Sequence, residues 1–109
     1  MSPKPVVLRK QARQDVEEAI DYYANEAGAA VAGRLVEAVE AAVRFISARP
    51  AAGSPRYAHE LNIPGLRSRM LRRFPYLVFY VERDDHIDLW RILHGKRDIP
   101  AWLQEPGKS

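Results

Sequence analysis

Tyr76-Leu77-Val78-Phe79-Tyr80-Val81 is the stretch on which the fold turns. Six consecutive aromatic, β-branched and aliphatic residues are too few for an ordinary helix and too apolar for a strand wet on one side. The run therefore reads as the central strand of a sheet, covered on one face and lined with aromatics on the other. Strand formers flank it, Leu66 to Arg73 before and His86 to Leu93 after. Only Phe74-Pro75 separates the first pair, and Glu82 to Asp85 the second. Both connections suit hairpins, which predicts a three-stranded antiparallel meander.

The cover for that sheet lies upstream. Ala12, Val16, Ala19, Ile20 and Tyr23 recur in steps of three and four, with Arg13, Glu17, Glu18 and Asp21 on the other faces, so a helix begins near Gln11. Gly28 should end it, since glycine takes the left-handed conformation without a Cβ clash. Ala32, Leu35, Val39, Ala42 and Ile46 repeat the pattern over a longer second helix, which Pro50 closes. A short connection makes the two an antiparallel hairpin. Ahead of them, Val6-Val7-Leu8 reads as an edge strand. Pro50 to Gly65 holds three prolines and two glycines, shows no period, and is expected to be a loop that is either packed or functional. Beyond Leu93, Trp102 and Leu103 should anchor a short turn or helix.

The fold class is therefore α+β: an N-terminal edge strand, a helical hairpin, then the meander, with the helices packed on one face of the sheet. One domain is expected over residues 1–109, with an ordered core of about 5–103. The 109 residues are 47% hydrophobic, enough for one core, and contain no cysteine, which excludes disulfides, a thiolate nucleophile and cysteine-ligated zinc. The start lacks an apolar signal segment and no run is long enough to span a bilayer, so a cytoplasmic protein without a membrane partner is expected.

The net charge of +3 is unevenly placed. Residues 1–64 carry eight basic and eight acidic side chains, whereas residues 65–109 carry nine and six. Arg67, Arg69, Arg72 and Arg73 fall within seven residues, joined by Arg91, Lys96 and Arg97, and no acid interrupts residues 61–81. On one reading these are solvated residues on the open face of a half-covered sheet. On the other they form a cationic floor for an anionic partner, whether nucleic acid, an acidic peptide or an acidic protein surface. His59, His86 and His94 have no metal-ligand spacing, so no metal or cofactor is expected. His94, directly before Gly95-Lys96-Arg97, sits where a general acid or base could act, or simply bonds to backbone at a strand end. The remaining carboxylates and the serines show no catalytic context.

Two segments carry a family resemblance: Gly65-Leu66-Arg67-Ser68-Arg69-Met70-Leu71-Arg72-Arg73-Phe74-Pro75-Tyr76-Leu77-Val78-Phe79-Tyr80, and Ile87-Asp88-Leu89-Trp90-Arg91-Ile92-Leu93-His94-Gly95-Lys96-Arg97-Asp98. With the element order, they resemble the RelE/ParE superfamily of toxins from type II toxin–antitoxin systems, and the ParE branch in particular, over about residues 5–103. RelE-like members are ribosome-dependent mRNA endonucleases, whereas ParE-like members act on DNA gyrase and block replication. The RelE pattern matches only in part. Arg97 fits its Gly-Lys-Arg position, but its first-strand lysines fall on Ser68 and Met70, its arginine after the central tyrosine on Leu77, and no tyrosine follows Arg97. The resemblance thus implies a non-enzymatic gyrase inhibitor neutralised by a ParD-like antitoxin in a hetero-oligomer, with no sequence-specific nucleic-acid binding. An RNA endonuclease and a non-toxic antitoxin-binding relative are the alternatives. The contact residues it implies are Arg67, Arg69, Arg72, Arg73, Phe79, Trp90, Arg91, His94, Lys96 and Arg97.

Overall fold

A computed structural model describes residues 3–97 and 99–104. The chain runs β1 (Val6–Leu8), α1 (Lys10–Ala27), α2 (Ala29–Ala48), a 3-10 turn (Pro50–Ala52), α3 (Arg56–Leu61), β2 (Leu66–Met70), β3 (Tyr76–Glu82), β4 (Ile87–His94) and α4 (Ile99–Gln104). Gly28 alone separates the two long helices, at φ 96°, and its N–H bonds the Tyr23 carbonyl. That conformation would strain any residue with a Cβ, so this glycine fixes the sharp reversal of the hairpin.

The sheet order is β1-β4-β3-β2. The three meander strands pair antiparallel, as expected, and β1 closes one edge by running parallel to β4, from Val6 opposite Ile87 to Leu8 opposite Leu89. Between β3 and β4 the register shifts, Phe79 facing Arg91 but Tyr80 facing Leu89, which leaves Trp90 as an extra residue. Such a bulge re-aims the side chains beside it. Here it lets Leu89 and Ile92, three residues apart, both enter the hairpin core.

Both faces of the sheet are packed. On one, Ala12, Ala19, Leu35, Ala42 and Ile46 of the hairpin meet Val78, Tyr80, Ile87, Leu89 and Ile92. Alanines at three of the five helical positions allow the backbones to approach closely. On the other, Leu66, Phe79, Val81 and Leu93 are covered by Ile99 and Leu103 of α4 and by Tyr57, Ala58 and Leu61 of α3. The expected open face is therefore a second core. Pro50 to Gly65, expected as loop, supplies part of it: Tyr57, Ala58 and Leu61 share one face of α3, and its cap residue Asn62 takes the left-handed conformation at φ 55°.

The first meander strand is shorter than expected. It ends at Met70, and residues 71–75 turn the chain, with Arg73 at φ 69° and the Leu71 N–H bonded to the Tyr76 carbonyl. Positive φ at a non-glycine residue cannot be seen in composition.

Candidate functional site

The alternation of β2 decides where its arginines go. Arg67 stands opposite Tyr80 and Arg69 opposite Val78, so both project to the hairpin side of the sheet. Arg67 Nη1 donates to the Gly53 carbonyl at 2.8 Å, and the Arg69 guanidinium lies 3.5 Å from the centre of the Phe45 ring. Each lays its stem along the edge of the hairpin core, so neither belongs to an open cationic floor.

Two other expected contact residues are interior. Phe79 is fully buried, edge-on to Tyr57 of α3 at 5.4 Å. Arg91 is 3% exposed. Its Nε and Nη2 each donate to Asp15 at 2.8 Å, and Nη1 reaches the Trp102 carbonyl at 3.4 Å. Asp15 Oδ2 also accepts the Ile92 N–H at 3.0 Å, on the stretch of β4 edge that β1 does not reach. One carboxylate thus ties α1 to β4, and through Arg91 to α4. Trp90 is half-buried; its Nε1 donates to Asp88 and the Arg9 guanidinium stacks on its ring at 4.5 Å.

Asp88 is the second charge centre of this region. Burial opposes its ionised form, but bonds from Arg9 at 2.9 Å, Trp90 at 3.1 Å and Arg83 at 3.2 Å outweigh that cost, and its pKa lies below the ordinary carboxylate value. A depressed folded-state pKa contributes stability that is complete above the unfolded value and is lost as pH falls toward the folded one. Asp88→Asn is therefore expected to cost about 1 kcal/mol at neutral pH, since both arginines are half-exposed. It should also flatten the acid limb of a stability profile measured by urea unfolding between pH 6 and 3. An unaltered acid limb would show that the cluster contributes nothing.

The remaining expected residues gather at one end of the sheet. Tyr76 opens β3 opposite His94, which closes β4, and the Gly95 N–H donates to the Pro75 carbonyl at 2.7 Å. This bond clips the β2-to-β3 turn to the turn after β4, so the exposed side chains Arg72, Arg73, Lys96 and Arg97 share a single tip. His94 lies edge-on to Tyr76 at 5.2 Å, and its Nδ1 accepts the Lys96 N–H at 3.1 Å. Arg97 stacks over Trp102 at 4.3 Å.

Beside the tip opens a cleft of about 510 Å³ between α1 and the end of β4, lined by Asp15, Glu18, Tyr22, Tyr23, Tyr76, His94, Lys96, Arg97 and Trp102 among others. Burial raises the Tyr76 pKa and the neighbouring Tyr23 adds to it, against the pull of Arg97, so this phenol stays a neutral donor. The sequence reading missed the α1 wall. Its signal was the spacing of Asp15, Glu18, Ala19 and Tyr22, one helix face that carries both acid and aromatic groups rather than a plain solvated stripe. Among the described residues no group of three or more His, Cys, Asp or Glu side chains is placed to hold a metal.

These elements define a small α+β protein whose four-stranded sheet carries a helical hairpin on one face and two short helices on the other. The family described as ParE toxin of type II toxin-antitoxin system, parDE, matches residues 6–99, and the chain belongs to that family. Its structure is similar to a solved chain of the chromosomal ParDE toxin–antitoxin system from P. aeruginosa, with a TM-score of 0.70, 22% identity, and coverage of 84% of this chain and 95% of that one. At that identity the likeness is one of fold. No curated protein matches the chain.

Proposed function

We propose that the protein inhibits DNA gyrase in the cytoplasm and is neutralised by a cognate ParD-like antitoxin, acting by docking and not by catalysis. The family match over residues 6–99 carries this reading. Local chemistry supports docking: His94 Nδ1 is taken by a backbone N–H, and the buried Ser68 and the exposed Met70 stand where RNA-cleaving relatives are expected to carry lysines. The cleft is the antitoxin's seat, with tyrosines for an apolar segment and Lys96 and Arg97 at its mouth for acidic side chains. The region of His94, Lys96 and Arg97 faces the target.

Purified toxin is expected to abolish gyrase supercoiling at modest molar excess and to accumulate cleaved DNA, with activity restored by antitoxin. Lys96→Ala with Arg97→Ala should weaken inhibition at least about tenfold, a loss of ~1.4 kcal/mol of coupling. Intact supercoiling at high toxin excess, together with codon-specific cuts in a ribosome-programmed mRNA assay, would end the gyrase reading. Inactivity in both assays despite tight antitoxin binding would leave a non-toxic relative.

A further inference from the structure

Which part of a gyrase complex the tip would touch can be read from its make-up. Arg72 and Arg73 sit in the turn after β2, Lys96 and Arg97 in the turn after β4, and the bond from Gly95 to the Pro75 carbonyl holds the two turns together. The ends of β2 and β4 are two strand spacings apart, about 10 Å. That is the scale of a few successive phosphates along one DNA strand, at ~3.4 Å of helix rise each. The four cations outnumber the acids beside them: Asp98 is the one acid within two positions of any of them in sequence, and of the two acids that line the cleft Asp15 is already bonded to Arg91, which leaves Glu18.

Apolar groups distinguish the candidate partners. Among the described residues the exposed large hydrophobics are Val7, Tyr22, Met70 and Trp102, on β1, α1, β2 and α4; Tyr22 and Trp102 belong to the cleft, and neither of the two turns themselves bears one. A protein interface needs a desolvated apolar centre with the charges at its rim. Single-stranded nucleic acid needs open aromatic faces to stack its bases. Arg97 already lies over Trp102, and Tyr76 and His94 are half-buried against each other. Exposed cations without an apolar centre fit the backbone of a duplex, which asks for charge and hydrogen-bond donors alone.

We infer that this end of the sheet binds the phosphate backbone of duplex DNA without regard to sequence. The contact deepens the gyrase reading and takes its cellular sense from it, the DNA being the segment that gyrase holds. Docking then has two parts: protein contacts that choose gyrase, and backbone contacts that seat the toxin on the DNA within it.

The test is fluorescence anisotropy of a labelled duplex of about 20 base pairs with the full-length toxin, over roughly 50–200 mM salt. Four phosphate contacts predict a log–log salt slope of about −3.6, and Arg72→Ala with Arg73→Ala, or Lys96→Ala with Arg97→Ala, should each bring it to about −1.8. Arg72→Lys with Arg73→Lys should keep the original slope, which separates charge from shape. Absence of binding at low salt, or a slope the alanine pairs leave unchanged, overturns the inference. Supercoiling inhibition is measured on the same proteins. Inhibition without DNA binding by the toxin makes the tip a protein-binding surface, overturning the inference and sparing the gyrase reading. DNA binding with the predicted slopes but no inhibition upholds the inference and removes gyrase as its context.

Discussion

Arg91→Ala is expected to destabilise the protein by about 3–5 kcal/mol, a large share of the ~5–15 kcal/mol that holds a domain of this size together. The magnitude follows from burial. The Arg91 and Asp15 side chains are 4% and 9% exposed, so removing one leaves the other charge buried without its opposite charge. Asp15 has a further duty, because its loss also strands the Ile92 N–H at the uncovered edge of β4. Asp15→Asn should cost nearly as much although its amide oxygen can still accept the Ile92 N–H, because the buried Arg91 charge is left uncompensated. Replacing both, Asp15→Leu with Arg91→Met, should recover most of the loss, as apolar groups of similar volume need no compensation. The control is Arg56 and Glu60, whose side chains are 67% and 48% exposed; alanine at either should leave stability unchanged within measurement error. Urea unfolding of the wild type and the three Arg91 and Asp15 variants measures each cost and the recovery. An Arg91→Ala cost below about 1 kcal/mol would mean that the pair is solvated in the working protein.

The same residue marks the limit of what the sequence disclosed. The hairpin and the three strands were legible because their signals are local: apolar residues at steps of three and four, a continuous apolar run, a glycine and a proline at the breaks. Arg91 and Asp15 lie 76 positions apart, and nothing in either neighbourhood announces the other. Arg91 therefore read as one more surface cation. Phe79 read as a surface aromatic for a related reason. Its burial depends on α3 and α4, each six residues long, and α3 lies in a proline-rich stretch where propensity argues against a helix. The C-terminal segment was legible as a short turn or helix anchored by Trp102 and Leu103, but the three apolar positions Tyr57, Ala58 and Leu61 of α3 do not outweigh its flanking prolines. The tip was half legible. Its cations stood out by composition, whereas the division between Arg72, Arg73, Lys96 and Arg97, which reach solvent, and Arg67, Arg69 and Arg91, which turn inward, follows from strand register.

Register also sets up the second large effect, at Gly53. Its φ of −69° is open to any residue, so conformational freedom is not the reason for glycine here. Space is: a Cβ would overlap the Tyr80 hydroxyl and lie 2.9 Å from the ring carbon bearing it and 3.1 Å from Arg67 Cβ. Tyr80 cannot yield, because it is fully buried on a central strand and its hydroxyl donates to the Pro50 carbonyl at 2.7 Å. Burial raises the phenol's pKa and keeps it protonated to donate. Gly53→Ala is thus expected to cost about 2–3 kcal/mol by overpacking. Tyr80→Phe should cost about 1–2 kcal/mol, since it leaves the Pro50 carbonyl without the hydroxyl that donates to it. In the double variant the hydroxyl that obstructs the new methyl is gone, so the two losses should fall short of their sum by about 1–2 kcal/mol. Strict additivity in urea unfolding would show that the segment after α2 moves away from β3 to admit the methyl. In that case the close fit between Gly53 and Tyr80 would not be what anchors this segment to the sheet.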